Sequence, residues 1–315
     1  MTRMTMRALQ YGLAALGLIA LALLARGLIA PRSVQGKPPP AAPPAVSRDI
    51  VYAVADGREL RLDAYVPPGK PESPRPIVVY IHGGAWRGGE KSGVNWLAGP
   101  LRDAGFVFFS IDYRMSYQAH FPAQIYDCKA AIRWVRAHAA EYGGDPNHIG
   151  VMGTSAGAHL AALLGTSGGV KELEGTVGET GVSSKVQAVS DWFGPSDLTV
   201  QGDSQHWLVD PVSALLGARP ADDPQAAAAA SPVTYTDAGD PPFLIVHGTA
   251  DRTVPIGQSR RLRDRLAQAG VPVELIEVPG GGHGKFEGTV PDRDELVRRT
   301  VQFFQRTLAP PAATG

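Results

Sequence analysis

Cysteine is almost absent from this chain of 315 residues, in which Cys128 is the only one. A single cysteine excludes an intramolecular disulfide, and it excludes a zinc site built from thiolates. One cysteine is compatible with an oxidising and with a reducing compartment alike. The scarcity of cysteine therefore excludes disulfides as a source of stability but does not indicate the compartment in which the protein works.

Charge of one sign is not in excess either, because 30 Lys and Arg residues balance 30 Asp and Glu residues. Without a basic field the chain has nothing to hold a phosphate backbone, which excludes nucleic acid as a partner. Hydrophobic residues make up 44% of the chain and charged residues 19%, which allows a sizeable core and excludes wholesale disorder. The composition does not indicate an oligomeric state.

A long apolar run is present only near the N-terminus, at residues 8–25. Arg3 and Arg7 precede it, the arrangement of a secretory signal peptide, and residues 20–22 offer a small-residue cleavage site. The run is also close to the minimum length of a membrane-spanning helix. Residues 1–30 are thus predicted to be either a cleaved signal peptide or a retained membrane anchor. In either case we expect the folded domain to be exported: periplasmic, secreted, or anchored outside the cytoplasm.

Proline-rich sequence separates this run from the rest of the chain. Residues 31–47 contain Pro38-Pro39-Pro40 and read as an extended linker that forms neither helix nor sheet. We predict one folded domain at residues 48–309, followed by a flexible tail at residues 310–315. Near its start, Asp56-Gly57 between two apolar segments predicts a β-hairpin.

Apolar runs of strand length alternate with helical patterns through the predicted domain. The runs lie at residues 76–81, 106–111, 149–152, 186–192, 243–246 and 273–278. The helical patterns lie at residues 123–142, 256–269 and 292–308. This alternation predicts an α/β fold with a mostly parallel sheet and helices on both faces. A longer excursion at residues 198–241 is interpreted either as a lid or pocket wall, or as a surface insertion without a role.

Two segments match the G-x-S-x-G pattern of a nucleophile turn, Gly153–Gly157 and Gly165–Gly169. The turn requires a strand before the serine and a helix directly after it. Ser155 has both, since it follows the apolar run at 149–152 and precedes a strongly helical segment. Ser167 instead follows that helix, where glycines commonly end helices. We therefore predict Ser155 as a nucleophile and interpret Ser167 as part of a helix-end loop.

A serine nucleophile needs a histidine base, and such turns are followed along the chain first by an acid and then by the histidine. His283 fits this order in a glycine-rich loop just after the strand at 273–278. His159 lies on the helix after the turn, and His247 precedes the best acid candidate, so neither is chosen. We predict His283 as the base.

Asp251 follows the strand at 243–246 in a loop, where its carboxylate would orient and stabilise the imidazole. Asp197, after an earlier strand, is the reserve candidate. Catalytic groups in open α/β sheets gather at the carboxyl ends of strands, which both positions satisfy. We predict Asp251 as the acid, and because no ligand cluster accompanies these residues we expect no metal.

Backbone N–H groups near the serine must hold the negative charge that develops on a reacting carbonyl oxygen. The segment His82-Gly83-Gly84-Ala85-Trp86 directly follows the strand at 76–81. Its glycines allow the backbone to approach a substrate closely. We predict that the N–H groups of Gly84 and Ala85, together with that of Ala156, form an oxyanion hole, with His82 and Gly83 completing the donor loop.

With these motifs in place, the chain resembles the α/β-hydrolase superfamily over roughly residues 48–308. The segment from His82 to Trp86, Asp112-Tyr113-Arg114, Phe121-Pro122-Ala123 and the turn around Ser155 are similar to bacterial carboxylesterases of the hormone-sensitive-lipase-like and feruloyl-esterase-like groups. The resemblance implies an eight-stranded sheet and no cofactor. It also implies hydrolysis of small-molecule carboxylic esters, with short-chain or aromatic groups, through an acyl-enzyme intermediate.

The chain departs from hormone-sensitive-lipase relatives at two points. A hairpin replaces their N-terminal helical cap, and Ala85-Trp86 stands where a third glycine is usual. We therefore expect an open site, in which Trp86, Tyr113 and Tyr117 stack on bulky or aromatic groups. The same H-G-G-x-W pattern occurs in arylformamidases, so an amide hydrolase of that type is the alternative enzyme. A non-catalytic binding protein with this fold is the alternative outside enzymes.

Overall fold

A computed structural model describes residues 45–200 and 206–309 of the chain. The predicted signal or anchor at residues 1–30, most of the linker and the tail at 310–315 lie outside the described residues. Among the helices that are described, none is long and apolar enough to cross a membrane. The first strand already begins at Val46, two residues before the predicted start of the domain.

The described residues form one eight-stranded sheet, as predicted. In chain order its strands are β1 (Val46–Ala55), β2 (Arg58–Tyr65), β3 (Arg75–Ile81), β4 (Val107–Ile111), β5 (Gly144–Thr154), β6 (Ala188–Trp192), β7 (Phe243–Gly248) and β8 (Val273–Val278). Their order across the sheet is β1-β2-β4-β3-β5-β6-β7-β8. Strand β2 is antiparallel to β1 and β4, whereas all pairs from β4 to β8 are parallel.

Seven α-helices accompany the sheet in the described part of the chain. They are α1 (Asn95–Asp103), α2 (Ala123–His138), α3 (Ala156–Thr166), α4 (His206–Leu216), α5 (Pro224–Ala229), α6 (Gly257–Gln268) and α7 (Arg293–Leu308). The helix predicted at residues 123–142 is α-helical only to His138, because its last turn tightens into a 3₁₀ helix that ends at Gly143 in a left-handed conformation.

Two hydrophobic cores lie on opposite faces of the sheet, and they follow from the alternation of side chains along each strand. On β3, Val79 packs into the core shared with helices α2, α3 and α6, whereas Val78 packs into the core shared with α1 and α7. Both faces are therefore covered by helices, which explains why β3, β4 and β7 are buried and mostly apolar on both faces. The loops after β3, β5, β7 and β8 leave the same edge of this rigid sheet, where the carboxyl ends of the strands meet.

Candidate active site

Ser155 lies at a sharp turn between β5 and α3, with a backbone φ of 54° that non-glycine residues rarely adopt. The flanking glycines make this turn possible. A Cβ on Gly153 would lie 2.1 Å from the carbonyl oxygen of Gly157, and a Cβ on Gly157 would lie 2.1 Å from that of Ile81. The Ser155 N–H donates to the carbonyl oxygen of Trp192 on the neighbouring strand (2.9 Å), which fixes the turn on the sheet.

The structure brings Ser155, His283 and Asp251 together in one hydrogen-bonded line. His283 Nε2 lies 2.8 Å from Ser155 Oγ, and His283 Nδ1 lies 2.7 Å from Asp251 Oδ2. An ionised carboxylate can only accept, so Nδ1–H donates to Asp251 and Nε2 is left to accept the Ser155 proton. This is the geometry of a nucleophile, a general base and an orienting acid.

The Asp251 side chain has no exposed surface, yet it is held as an anion. Burial by itself raises its pKa, but hydrogen bonds from His247 and His283, the charge of His283 and the N–H of Val254 outweigh burial and lower the pKa. The N–H groups of Thr253 and Val254 donate to Asp251 Oδ1 at 2.7 and 2.9 Å. The carboxylate therefore remains charged throughout the pH range in which a histidine acts as a base.

Two residues weighed for triad roles lie elsewhere. Asp197, the reserve acid, pairs with Arg261 on α6 at 3.2 Å and does not contact His283. His159 is buried under Trp86, and its Nε2 donates to the carbonyl oxygen of Ala230 at 2.7 Å. Neither position competes with Asp251 or His283 for the nucleophile.

The loop after β3 turns its backbone toward the nucleophile. Gly84, Ala85 and Trp86 have φ values of 122°, 55° and 56°, three consecutive residues in conformations that side chains disfavour. Such strain is typical of functional sites. Within residues 45–200 and 206–309, the N–H groups of Gly84 and Ala85 in this loop donate to no backbone carbonyl. The N–H of Ala156, the first residue of α3, donates to none outside its helix. All three residues line the cavity that contains Ser155, as an oxyanion hole requires.

His82 and Gly83 support this loop from below. His82 is buried and its Nδ1–H donates to the carbonyl oxygen of Gly83 at 2.8 Å, while burial lowers its pKa and keeps the ring neutral. A Cβ on Gly83 would lie 2.7 Å from the carbonyl oxygen of Thr154, so this position allows the loop to pack against the serine turn. Both residues thus place the donors and lie outside the cavity lining.

The cavity beside Ser155 has a volume of about 380 Å³ and mostly apolar walls. Trp86, Phe193 and Val254 form part of it, and Pro211 on α4 closes one side. Arg87 in the donor loop anchors α4 there, donating to the carboxylate and the carbonyl of Asp210 at 3.0 and 2.7 Å. The excursion at residues 198–241 therefore supplies a pocket wall, the first of its two interpretations.

The predicted aromatic stacking surface is wrong for two of its three members. Trp86 does line the cavity, but Tyr113 is buried behind the donor loop, where it stacks on His82 with ring centroids 4.5 Å apart and donates to that residue's carbonyl. Tyr117 is 75% exposed and lines no described cavity. Both side chains follow a strand end in sequence, but loop packing decides which way they point.

Sequence reasoning missed a second cavity of about 230 Å³ on the other side of Phe193. Its aromatic walls come from four separate elements and are Tyr80, Trp96, Trp192 and Phe286, with Arg293 as the charged member. Phe193 lines both cavities, has a φ of 51°, and sets its ring against that of His283 with centroids 4.8 Å apart. A bulky residue in that conformation indicates strain held in place by the surrounding site.

Sequence reasoning also missed the second histidine at the acid. His247 Nε2 lies 3.3 Å from Asp251 Oδ2 and is fully buried. The signal available in the sequence was the spacing, since His247 stands at a strand end four residues before the acid. Among residues 45–200 and 206–309 there is no group of three or more His, Cys, Asp or Glu side chains arranged to hold a metal ion.

Fold and site together define an α/β-hydrolase of the serine-nucleophile type. A family model described as BD-FAE matches residues 62–266, and the chain belongs to that family. Esterase LipQ of Mycobacterium tuberculosis is 35% identical over 265 residues, which are 82% of this chain and 62% of that relative. The predicted resemblance to bacterial esterases is thereby confirmed.

Solved structures agree with the family assignment. A truncated form of a carbohydrate esterase from gut microbiota matches with a TM-score of 0.76 and 34% identity, covering 84% of this chain and 96% of that one. Esterase 2 of Thermogutta terrifontis, phosphorylated by paraoxon, matches with a TM-score of 0.68 and 30% identity, covering 85% and 96%. The chain spans 49% to 62% of the length of three curated relatives that it matches.

Proposed function

We propose that this protein hydrolyses carboxylic esters, with Ser155 as nucleophile, His283 as general base and Asp251 as the acid that orients it. The observation that carries the proposal is the line of two short hydrogen bonds, 2.8 Å from Ser155 to His283 and 2.7 Å from His283 to Asp251. At its Ser155 end this line opens into the cavity lined by the backbone N–H groups of Gly84, Ala85 and Ala156. The esterase names of the relatives point to the same chemistry.

In the acylation step, His283 Nε2 takes the Ser155 proton as Oγ attacks the carbonyl carbon of the ester. Negative charge moves to the carbonyl oxygen, where the N–H groups of Gly84, Ala85 and Ala156 stabilise it. The tetrahedral intermediate collapses when His283 returns the proton to the departing alkoxide. The products of this half-reaction are a free alcohol and an acyl group on Ser155.

Deacylation repeats the same proton transfers with water in place of the serine. His283 takes a proton from a water molecule, whose oxygen attacks the acyl carbon, and the same three N–H groups receive the new charge. His283 then returns the proton to Ser155 Oγ and the carboxylic acid leaves. Asp251 stays ionised throughout and stabilises the imidazolium in both half-reactions.

The two cavities support a substrate class for this proposal. The cavity of about 380 Å³ at Ser155 is near the small end of ligand sites, which favours short acyl groups over long chains. The aromatic cavity behind Phe193 is suited to a ring, and its charged member Arg293 is held in place by Glu287 at 2.9 Å and by the carbonyl of Gly284 at 2.8 Å. We propose esters with a short acyl chain or an aromatic group as substrates.

A labelling experiment tests the proposed chemistry. A fluorophosphonate probe should label Ser155 in the wild-type protein, and Ser155→Ala should abolish labelling and lower ester kcat/KM by about 10⁴-fold. Ser167→Ala is the matched control, because this serine stands in the second G-x-S-x-G segment but is buried at the end of α3. It should change kcat/KM less than about threefold. Wild-type protein that takes no label would favour the non-catalytic binding protein.

A substrate panel tests the ester class separately. We expect p-nitrophenyl acetate and butyrate to be hydrolysed well, and palmitate poorly, for lack of an enclosed apolar channel. N-Formylkynurenine belongs in the panel because the triad by itself does not discriminate esters from amides. A preference of about tenfold or more for the formamide would replace the ester proposal with the arylformamidase one.

A further inference from the structure

His247 connects three elements at the back of the proposed triad. It lies on β7, one residue before the strand ends, and its side chain has no exposed surface. Nδ1 lies 2.7 Å from Ser259 Oγ on α6, and Nε2 lies 2.8 Å from the carbonyl oxygen of Val254 in the loop that follows Asp251. A buried imidazole with a partner at each nitrogen is held in a single orientation.

The partners of His247 determine where its proton lies. Both groups at Nε2, the Val254 carbonyl and the ionised Asp251 carboxylate, can only accept hydrogen bonds. Nε2 must therefore carry the hydrogen, which it donates to the Val254 carbonyl, and Asp251 Oδ2 lies 3.3 Å from the same nitrogen. In the neutral ring Nδ1 is then the acceptor, and the Ser259 hydroxyl donates to it. Ser259 thus selects the tautomer that presents an N–H to Asp251.

Asp251 Oδ2 consequently faces two imidazoles. His283 Nδ1–H donates to it at 2.7 Å, the polar Nε2–H group of His247 lies beside it with an N···O distance of 3.3 Å, and two backbone N–H groups donate to Oδ1. Donors on both oxygens fix the rotation of the carboxylate. The N–H of His247 also withdraws charge from the oxygen that faces His283, which makes Asp251 a weaker base toward it.

We propose that His247 is a positioning residue for the hydrolytic reaction: its Nε2–H aligns the Asp251 carboxylate and moderates the charge that Asp251 presents to His283. The inference rests on the proposed function, since it assigns His247 to the same triad. It also gives the His-x-x-x-Asp spacing at the end of β7 a physical role. Removing the donor should loosen the carboxylate and concentrate its charge on the contact with His283.

Other charged groups face His247 from the neighbouring strands. Asp191 on β6 interacts electrostatically with it, and Glu277 on β8 stands in register with it and pairs with Arg260 on α6. Burial raises the pKa of Asp191 to about 6, so this carboxyl titrates in the same range as a histidine. The test must therefore separate the effect of His247 on Asp251 from any effect of Asp191.

The decisive measurement is the pH profile of ester kcat/KM for His247→Leu, which keeps the bulk and removes the N–H. The imidazolium of His283 gains a stronger acceptor, so the acid limb should move up by about 0.5 pH unit. The kcat should fall about five- to twentyfold, with KM within about twofold, because alignment matters most in the transition state. His247→Gln supplies an amide N–H and should return both values toward wild type.

Leu244→Ala is the control for damage to packing, because Leu244 is buried on the same strand in the opposite core. It should lower the melting temperature without moving the acid limb. The profiles are also repeated in an Asp191→Asn background, where the upward shift should persist. The concentration of reactive Ser155 is measured in every variant by titration with the fluorophosphonate probe, and kcat is calculated per reactive serine.

Three outcomes would overturn the inference: an acid limb within about 0.2 pH unit of wild type, a downward shift, or a shift that disappears with Asp191→Asn. If His247→Leu does not fold, the test compares His247→Gln with wild type. Complete loss of activity in a folded His247→Gln protein would contradict the proposal. Wild-type protein that neither takes the probe nor hydrolyses esters would instead sink the proposed function, which keeps the two failures distinct.

Discussion

Buried histidines surround the nucleophile without serving it as bases. His82 supports the donor loop, His159 supports Trp86, and His247 contacts Asp251. Burial lowers the pKa of His159 to about 4, although its hydrogen bond to the carbonyl of Ala230 opposes the shift. A neutral ring in the folded protein and a titrating ring in the unfolded chain link this residue to stability.

The sign of that link follows from proton binding. At pH values between the ordinary histidine pKa of about 6.5 and the folded-state pKa of about 4, His159 is protonated in the unfolded chain but not in the folded protein. His159 therefore makes stability fall as the pH falls below about 6.5, by about 2 kcal/mol at pH 5. Urea unfolding at pH 8 and pH 5 measures this, and His159→Leu should lose about 2 kcal/mol less between them than wild type. Equal losses in both proteins would contradict the assignment.

At the scale of helices and strands, the sequence predicts best where burial is complete. Strands β3, β4 and β7 carry buried, mostly apolar side chains on both faces, so their positions can be predicted without knowledge of their neighbours. The sequence does not predict helix α1, because Gly99 and Pro100 interrupt its pattern, nor α4 and α5, which lie in a segment rich in Ala and Pro without clear periodicity.

In the catalytic site, too, some residues could be predicted from the sequence and others could not. Ser155 and His283 could be predicted because chain order and strand ends suffice to choose them, and the same criteria narrow the acid to Asp251 and Asp197. The aromatic cavity could not, since Tyr80, Trp96, Trp192 and Phe286 come from distant parts of the chain and only tertiary packing brings them together. The contact between His247 and Asp251 depends in the same way on how one loop folds back beneath the strand.

Helix α4 provides the element-scale prediction, because Pro211 forms a wall of the cavity at Ser155. Pro211→Ala should enlarge the cavity and raise the butyrate-to-acetate ratio of kcat/KM by about three- to tenfold. Pro224→Ala is the control: this proline opens α5, is exposed and lines neither the cavity at Ser155 nor the aromatic one. An unchanged ratio for Pro211→Ala would mean that acyl groups do not reach α4.

At the scale of the whole molecule, hydrogen bonds show that the folded domain includes Ala45 and Val46. The N–H of Val66 donates to the carbonyl oxygen of Ala45 at 2.9 Å, and β1 pairs with β2 from Val46 onward. The proposed triad and the donor loop also lie after this point in the described part of the chain. We therefore expect the proposed chemistry not to require the residues before Ala45.

We expect a protein that lacks residues 1–44 to be soluble and to keep kcat/KM within about twofold of the full chain. We also propose that residues 1–30 export the domain, on the strength of the apolar run after Arg3 and Arg7. The intact mass of the exported protein distinguishes cleavage near Ala22 from a retained anchor. A truncated protein without activity would show that the N-terminal segment packs on the domain, and full-length protein found only in the cytoplasm would contradict export.

Phe193 has a consequence for how this protein can diverge. One side chain is the partition between the cavity at Ser155 and the aromatic cavity, and its ring also rests against His283. Any substitution that widens one chamber reshapes the other and disturbs the base between them, so effects at this position will not be additive with changes in either chamber. We therefore expect a substitution at Phe193 that changes the preferred acid of an ester also to change which alcohols are accepted.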